Sequence, residues 1–234
     1  MIGVNVMKLA SALAIGACLA FGSSSAAVPA SVDAPQLAVG DHWQYRITDN
    51  LRRGTVSELD VEVISISGRT ARIRIRRTDA QGASEWFDEV DGQGGLASGS
   101  LNGEPARPFN PHVKMLSFPL DKGKTWRQTI NTVHNDGIKD QILIYGKVRG
   151  DAQVNVPAGS FDTVSIYRTV QLDDTEFWRS RTTRTDSVWY APAAKAPVKE
   201  THEAQYAQRG DRSQPLVRTE STVLELVSFK PGKP

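Results

Sequence analysis

The alternation of apolar and polar residues at every second position is the feature that most constrains how this chain folds. Residues 59–63 alternate Leu, Val and Val with Asp and Glu, and residues 71–76 alternate Ala, Ile and Ile with three Arg. Because successive side chains of a strand point to opposite faces, this pattern predicts strands with one buried face. The turn sequence Ser67–Thr70 joins the two segments into an antiparallel hairpin, and the change of parity after Val63 predicts a β-bulge.

The same alternation continues through the second half of the chain. Strands are predicted on both sides of Pro157–Gly159, where Pro and Gly suit a tight turn. Two long loops are also predicted: Asp91–Gly103, which Pro105, Pro108 and Pro111 follow, and Ala191–Pro197. No segment of helical length after residue 30 keeps a period of 3.6 residues. Three further strands are predicted at Phe177–Tyr190, Val198–Tyr206 and Thr222–Phe229.

The predicted fold class is therefore mainly β, with one strongly curved antiparallel sheet that forms a half-barrel or open barrel. Few or no helices are expected beyond the N-terminal signal peptide. We assign residues 31–234 to a single β-rich domain. The similar openings Val39–Trp43 and Asp121–Trp126 suggest duplicated halves over 37–100 and 115–229, and chance similarity between short strands is the alternative.

Residues 1–30 are typical of a signal peptide. Lys8 is their only charged residue, an apolar run follows over Leu9–Phe21, and small residues precede the expected cleavage after Ala30, with Ala27 as the near alternative. This pattern predicts a periplasmic or secreted protein. Ile15–Cys18 resembles the bacterial lipobox, so a lipid anchor on Cys18 is the alternative, and membrane attachment is expected only in that case. Otherwise the single Cys is lost with the signal, and the mature domain has no thiol.

Six phrases of the sequence, taken in order, resemble one family. They resemble the TapB-like secreted bacterial proteins, a group of largely unknown function, over nearly the whole mature chain. The resemblance implies a curved antiparallel sheet similar to the half-barrels of the envelope lipoprotein carriers LolA and LolB, and it brings no catalytic residues. It departs from the family at Ala193–Pro197, because a Gly usually follows Trp-Tyr-Ala-Pro. The phrases are VGDHWQY (39–45), FPLDKGKTW (118–126), VPAGSFD (156–162), WYAP (189–192), VK (198–199) and ELVSF (225–229).

The sequence carries no recognisable catalytic, metal or cofactor motif. His42, His112, His134 and His202 have no metal-ligand spacing, and neither a phosphate-binding loop nor a nucleophile elbow occurs. We therefore expect no enzyme activity, no metal and no cofactor, although a hydrolase whose carboxylates meet only in the folded chain stays open. A formal net charge of +2 argues against nucleic acid as a partner.

Arg-rich strand faces have two interpretations. Arg72, Arg74 and Arg76 alternate along one predicted strand, and Arg168 and Arg184 lie on others. Such arginines pair with Asp and Glu across neighbouring strands, or they bind anionic head groups.

Five aromatic residues in or beside predicted strands are the candidate ligand-binding residues: Trp43, Trp126, Trp178, Trp189 and Tyr190. Large aromatic side chains either fill a core or line an apolar cleft. The predicted function is non-enzymatic binding of a hydrophobic or amphipathic ligand, lipid-like or peptide, in a half-barrel cleft in the cell envelope. The alternative is an envelope interaction or assembly factor that binds a protein partner through its sheet edges and has no small-molecule ligand.

Overall fold

A computed structural model describes residues 31–101, 105–133, 137, 139–174, 176–209 and 215–233. The predicted signal peptide (residues 1–30), Cys18 and His134 lie outside the described residues. In the described part of the chain, no helix is long and apolar enough to cross a membrane. The elements are β1 (Ser31–Val32), β2 (His42–Asp49), β3 (Thr55–Ser67), β4 (Thr70–Asp79), β5 (Gly82–Val90), β6 (Leu96–Gly99), β7 (Arg107–Val113), β8 (Leu120–Asp121), β9 (Thr125–Val133), β10 (Lys139–Val156), β11 (Gly159–Gln171), β12 (Thr183–Ala191), a 3-10 turn (Pro192–Ala194), β13 (Ala196–Ala207) and β14 (Leu216–Lys230).

Twelve of these strands form one antiparallel sheet. Strands β2 to β7 make one meander, β9 to β14 make a second, and the pairing of β2 with β14 joins them in the order β7-β6-β5-β4-β3-β2-β14-β13-β12-β11-β10-β9. The sheet curls until it is nearly closed into a barrel, which confirms the predicted fold class. Each predicted half lies within one meander, yet their duplication stays a prediction.

Side chains of β9 close the barrel where its two edge strands meet. Among the described residues β7 and β9 share no backbone ladder, although they are in contact. The Gln128 amide instead donates to the carbonyl of His112 at 2.7 Å, and its oxygen accepts from the amide of Lys114 at 2.8 Å. Trp126 Nε1 donates to the carbonyl of Lys114 at 3.0 Å. Three side-chain hydrogen bonds thus replace a strand ladder at this edge.

The hairpins predicted from alternation are confirmed. Strands β3 and β4 pair across Gly68, with a register shift between Val63 and Ser65 that is the expected bulge. Strands β10 and β11 pair across Pro157–Ala158, and Gly159 has the positive φ of 129° that suits a glycine.

The prediction of one long loop over Asp91–Gly103 is wrong, because β6 lies within it and β7 follows over the proline-rich segment. Pro108 and Pro111 cannot donate backbone hydrogen bonds, which a sheet tolerates on an edge strand. Both strands are short and lack apolar alternation, so their sequence resembles that of a loop.

The prediction of a continuous strand over Phe177–Tyr190 is also wrong, because β12 begins only at Thr183. The segment before β12 is held instead by hydrogen bonds and an ion pair of the Asp174 carboxylate. Asp174 accepts the amide of Thr182 at 2.8 Å and pairs with Arg179 at 2.9 Å. Side-chain oxygens that bond to nearby backbone amides compete with strand pairing, so Trp178 lies in a turn rather than on a strand.

A small second sheet fills part of the barrel interior. Strands β1 and β8 pair through Ser31–Asp121 and Val32–Leu120. Val32 and Leu120 pack against inward-facing side chains of β10, β11 and β12, namely Val148, Val164, Ile166, Val188 and Tyr190.

The fully buried carboxylate of Asp41 connects three distant parts of the chain. It accepts the amides of Ala38 at 2.7 Å and Gly232 at 2.8 Å, and it pairs with Lys195 Nζ at 2.9 Å. Burial alone would raise the pKa of Asp41, but these donors hold it below its usual value. The start of β2, the chain after β14 and the turn between β12 and β13 are thereby held together.

Lys195 occupies the segment in which the resembling family usually has a Gly. Its φ is 56°, in the left-handed region. That conformation costs a non-glycine residue about 1 kcal/mol, and the ion pair with Asp41 is the interaction that offsets it here.

Replacing Asp41 by Ala removes this connection and leaves Lys195 without its buried partner. We expect the free energy of unfolding, measured by urea titration, to fall by about 3–5 kcal/mol. Asp60→Ala is the matched control, because Asp60 pairs with His42 on the surface with 37% of its side chain exposed, and its loss should cost under about 1 kcal/mol. Equal losses in the two variants would contradict the role given to Asp41.

Candidate functional site

The inward faces of β11, β12 and β13 carry charged residues in the middle of otherwise apolar rows. Arg168 lies directly opposite Asp186 on β12, and Asp186 lies directly opposite His202 on β13. These residues thus form a row across three strands. The inward-facing residues are Val164, Ile166, Arg168 and Val170 on β11, Arg184, Asp186, Val188 and Tyr190 on β12, and Val198, Glu200, His202 and Ala204 on β13.

Arg168 is the centre of this cluster and is almost fully buried. Its Nε donates to Asp186 at 2.7 Å, its Nη2 to Glu200 at 3.1 Å, and its Nη1 to the carbonyl of Met115 at 3.1 Å. Burial alone would lower the pKa of Arg168, but the two carboxylates raise it. The guanidinium therefore stays charged within the barrel.

Arg184 holds the other side of the Asp186 carboxylate. Its Nε lies 3.0 Å from Asp186 Oδ1, and Asp186 is completely buried. Burial alone would raise the pKa of Asp186, whereas Arg168 and Arg184 hold it below its usual value. Asp186 is thus an ionised carboxylate between two guanidinium groups.

His202 extends the cluster toward β14. Its Nε2 lies 2.9 Å from Glu200, and its Nδ1 lies 3.4 Å from Glu220. Burial alone would lower the pKa of His202, but the hydrogen bonds to these carboxylates raise it to about 9. The imidazole is therefore protonated at neutral pH, and three cations face three anions in the cluster.

The cluster forms one side of a cavity of about 480 Å³ inside the barrel. Arg168, Arg184, Glu200 and His202 all line it. The rest of the lining is largely apolar and aromatic, with Leu37, Trp43, Tyr45, Leu59, Val61, Ile73, Val90, Leu101, Met115, Leu116, Phe118, Tyr190 and Leu224. An apolar cavity with a few convergent polar groups is the usual form of a small-molecule site.

Besides Glu200, Asp88 is an acidic residue that lines the cavity. It lies on β5, which the sheet order separates widely from β11 and β12, the strands that carry Arg168 and Arg184. Burial raises the pKa of Asp88 to about 6, against the lowering effect of a hydrogen bond from the Ser100 amide. Among the described residues, no three His, Cys, Asp or Glu side chains are grouped so as to hold a metal ion.

Two of the five predicted ligand-binding residues line this cavity, and the other three lie elsewhere. Trp43 and Tyr190 are wall residues. Trp126 lies across Gly146, where a Cβ would approach its ring to 2.1 Å, beside the edge between β7 and β9. Trp189 is on the opposite face of β12 from Tyr190, and Trp178 packs edge-on against Tyr206 in the turn before β12.

The charged cluster was not predicted from the sequence. Arg168 could have indicated it, because this residue lies on the same face of β11 as the buried residues Val164, Ile166 and Val170. The two-residue spacing of Glu200 and His202 likewise places both on one face of β13. Two interpretations were given for the Arg-rich strand faces. Cross-strand pairing is observed for Arg168 with Asp186 and for Arg74 on β4 with Glu62 on β3.

The fold is shared with a known structure. A candidate lipoprotein from Parabacteroides distasonis ATCC 8503 aligns over 84% of this chain and 97% of its own, with a TM-score of 0.50 and 14% identity. A candidate exported protein with a YmcC-like fold from Bacteroides fragilis NCTC 9343 aligns over 86% and 99%, with a TM-score of 0.44 and 13% identity. The hypothetical lipoprotein YmcC from Escherichia coli (K12) aligns over 83% and 86%, with a TM-score of 0.38 and 9% identity.

The first of these likenesses shows a common fold and nothing more. No protein-family profile matches this chain, and no curated protein matches it. The resemblance to the TapB-like proteins and to LolA and LolB therefore stays a prediction.

The charge on His202 can be tested through the pH dependence of the free energy of unfolding. Its pKa rises from 6.5 to about 9 on folding, so its stabilising contribution is complete below pH 6.5 and is lost as the pH rises toward 9. Over this interval we expect the free energy of unfolding of the wild type to fall more than that of His202→Gln, by on the order of 3 kcal/mol.

Urea titrations across this pH range make the measurement. His112→Gln is the matched control, because His112 pairs with Asp91 on the exposed surface and lies outside the cluster. It should retain the wild-type pH dependence. Parallel curves for the wild type and His202→Gln would contradict the assignment.

Proposed function

We propose that this protein is an exported cell-envelope protein that binds a single amphipathic, lipid-like ligand in the barrel cavity and catalyses no reaction on it. The observation that carries this proposal is the division of one cavity into an apolar wall and a charged side. Placement in the cell envelope rests on the signal-peptide pattern of residues 1–30.

The dimensions and lining of the cavity suit a small amphiphile. Its volume of about 480 Å³ lies within the roughly 300–1,000 Å³ range of ligand pockets. The aliphatic and aromatic wall accepts the apolar part of such a ligand. The polar end of the ligand would lie against Arg168, Arg184 and His202. Of their counter-charges, Glu200 also lines the cavity, whereas Asp186 and Glu220 do not.

The state of the cluster supports binding rather than catalysis. A general base must be unprotonated and within reach of the proton that it removes. His202 is protonated at neutral pH, and each of its ring nitrogens is directed at a carboxylate. Glu200 in turn accepts from Arg168 and lies beside His202, and these cations hold its pKa below the usual value against the effect of burial.

A pair of variants on β3 tests whether the cavity is the binding site. Leu59 lines the cavity, whereas its neighbour Glu58 is exposed on the outer face. Leu59→Trp fills part of the cavity, so we expect it to weaken laurate binding about tenfold. Glu58→Trp adds the same side chain outside the barrel and should bind laurate as the wild type does.

The measurement is displacement of an anilinonaphthalene sulfonate dye by laurate, confirmed by isothermal titration calorimetry. Circular dichroism and the unfolding midpoint establish that both variants are folded. No laurate binding by the wild type, or an equal loss in the two variants, would contradict the proposal.

A further inference from the structure

Exposed apolar side chains are concentrated at one end of the barrel. In an antiparallel meander alternate hairpins lie at the same end. The hairpins β2–β3, β4–β5, β6–β7, β9–β10, β11–β12 and β13–β14 therefore share one end, which we call the tip end. Six of the nine large apolar residues exposed in the described part of the chain lie in or beside the connections of four of these hairpins, β2–β3, β9–β10, β11–β12 and β13–β14. They are Leu51, Val56, Val133, Phe177, Trp178 and Leu216, and the other three are Val39, Ile66 and Tyr145.

The four hairpins are neighbours around the barrel. The sheet order β3-β2-β14-β13-β12-β11-β10-β9 places them side by side along one arc. Their apolar side chains project strongly, since Phe177 is 87% exposed, Leu216 65% and Val133 60%. Phe177, Trp178 and Leu216 belong to neighbouring segments, because the Arg209 amide donates to the Trp178 carbonyl and Ala207 pairs with Leu216. Apolar residues grouped in this way mark an interaction surface, whereas single exposed apolar residues are ordinary.

The most exposed of these residues lies on a well-supported turn. Next to Phe177, Trp178 packs edge-on against Tyr206 with ring centroids 5.7 Å apart. The Arg179 guanidinium lies 5.3 Å from the Trp178 ring and 4.8 Å from the Tyr206 ring, and the amide of Arg209 donates to the carbonyl of Trp178 at 2.8 Å. Phe177 is therefore held outward by packing beneath it.

The exposed charges on the described part of these tips are mainly positive. Arg53, Lys139 and Arg209 are exposed, against Glu176 as the exposed acid, and the exposed Arg52 lies 3.7 Å from the carboxylate of Asp49. The other acids of the turn before β12 are Asp173, which is buried and paired with Arg107, and Asp174, which is paired with Arg179. The described residues of the tip end thus place exposed positive charge beside exposed apolar side chains.

We propose that the tip end docks on the surface of an anionic phospholipid bilayer. Phe177 and Leu216 would enter the boundary between head groups and acyl chains, as apolar residues of interfacial proteins do. Trp178 would lie at the depth that interfacial tryptophans prefer. Arg53, Lys139 and the other exposed cations would be attracted to lipid phosphates. This contact needs neither a lipid on Cys18 nor a ligand in the cavity.

Vesicle co-sedimentation of the protein without its signal peptide, and hence without Cys18, tests this proposal. We expect binding to vesicles of phosphatidylcholine mixed with phosphatidylglycerol, and little binding to phosphatidylcholine alone. High salt should weaken the binding because it screens exposed charges. Phe177→Ser should weaken it about tenfold, and the double variant Arg53→Asn, Lys139→Gln should weaken it too. Asn suits position 53, whose φ is 56°.

The matched control is Ile66→Ser, which removes an exposed apolar side chain from the opposite end of the barrel. It should bind vesicles as the wild type does. Absence of binding, binding that ignores phosphatidylglycerol, or an equal loss in Ile66→Ser and Phe177→Ser would overturn the proposal. A dimer in sedimentation velocity that Phe177→Ser converts to monomer would overturn it as well, since a second copy would then cover the tip end.

Discussion

A curled sheet of twelve strands encloses more space than its own side chains fill, because about eight strands already make a barrel whose interior is just occupied. The remaining features of this structure follow from that constraint. Strands β1 and β8 enter the lumen and pack against β10, β11 and β12. The volume that they leave is the cavity of about 480 Å³. Charged residues on the inward face must find partners inside the barrel, since an unpaired buried charge is costly. The pairing of three cations with three carboxylates meets that requirement.

The phrases that carry the family resemblance have a structural explanation. Asp41 binds Lys195 and the chain after β14. Trp43 donates to the carbonyl of Ala194 at 2.7 Å and stacks on Phe229 with centroids 5.5 Å apart. These contacts hold β2, β14 and the turn after β12 together at the end opposite the tip end. Residues of VGDHWQY and ELVSF thus help to join the two meanders, and Trp43 and Tyr45 of the first phrase also line the cavity.

Much of the fold could be predicted from the alternation of apolar and polar residues, because a strand with one buried face has apolar residues at every second position. The charged cluster could not be predicted in this way, although Arg168 lies on the same strand face as buried apolar residues. Alternation shows which residues share a face, but it does not show whether that face lines the inside of a barrel or contacts solvent. Aromatic residues were similarly ambiguous. Trp43 and Tyr190 line the cavity, while Trp189 faces outward, because a large apolar side chain suits either face of a sheet. Strand β6 escaped prediction because its pairing is set by neighbouring strands rather than by its own pattern.

If the space inside the barrel holds an amphiphile, the ligand should remain bound when the protein is isolated from its own cell envelope without detergent. In native mass spectrometry of such protein we expect a second species, heavier than the polypeptide by the mass of one lipid-like molecule, that loses this mass on collisional activation. A spectrum with the mass of the polypeptide alone, from protein that is folded, would contradict it.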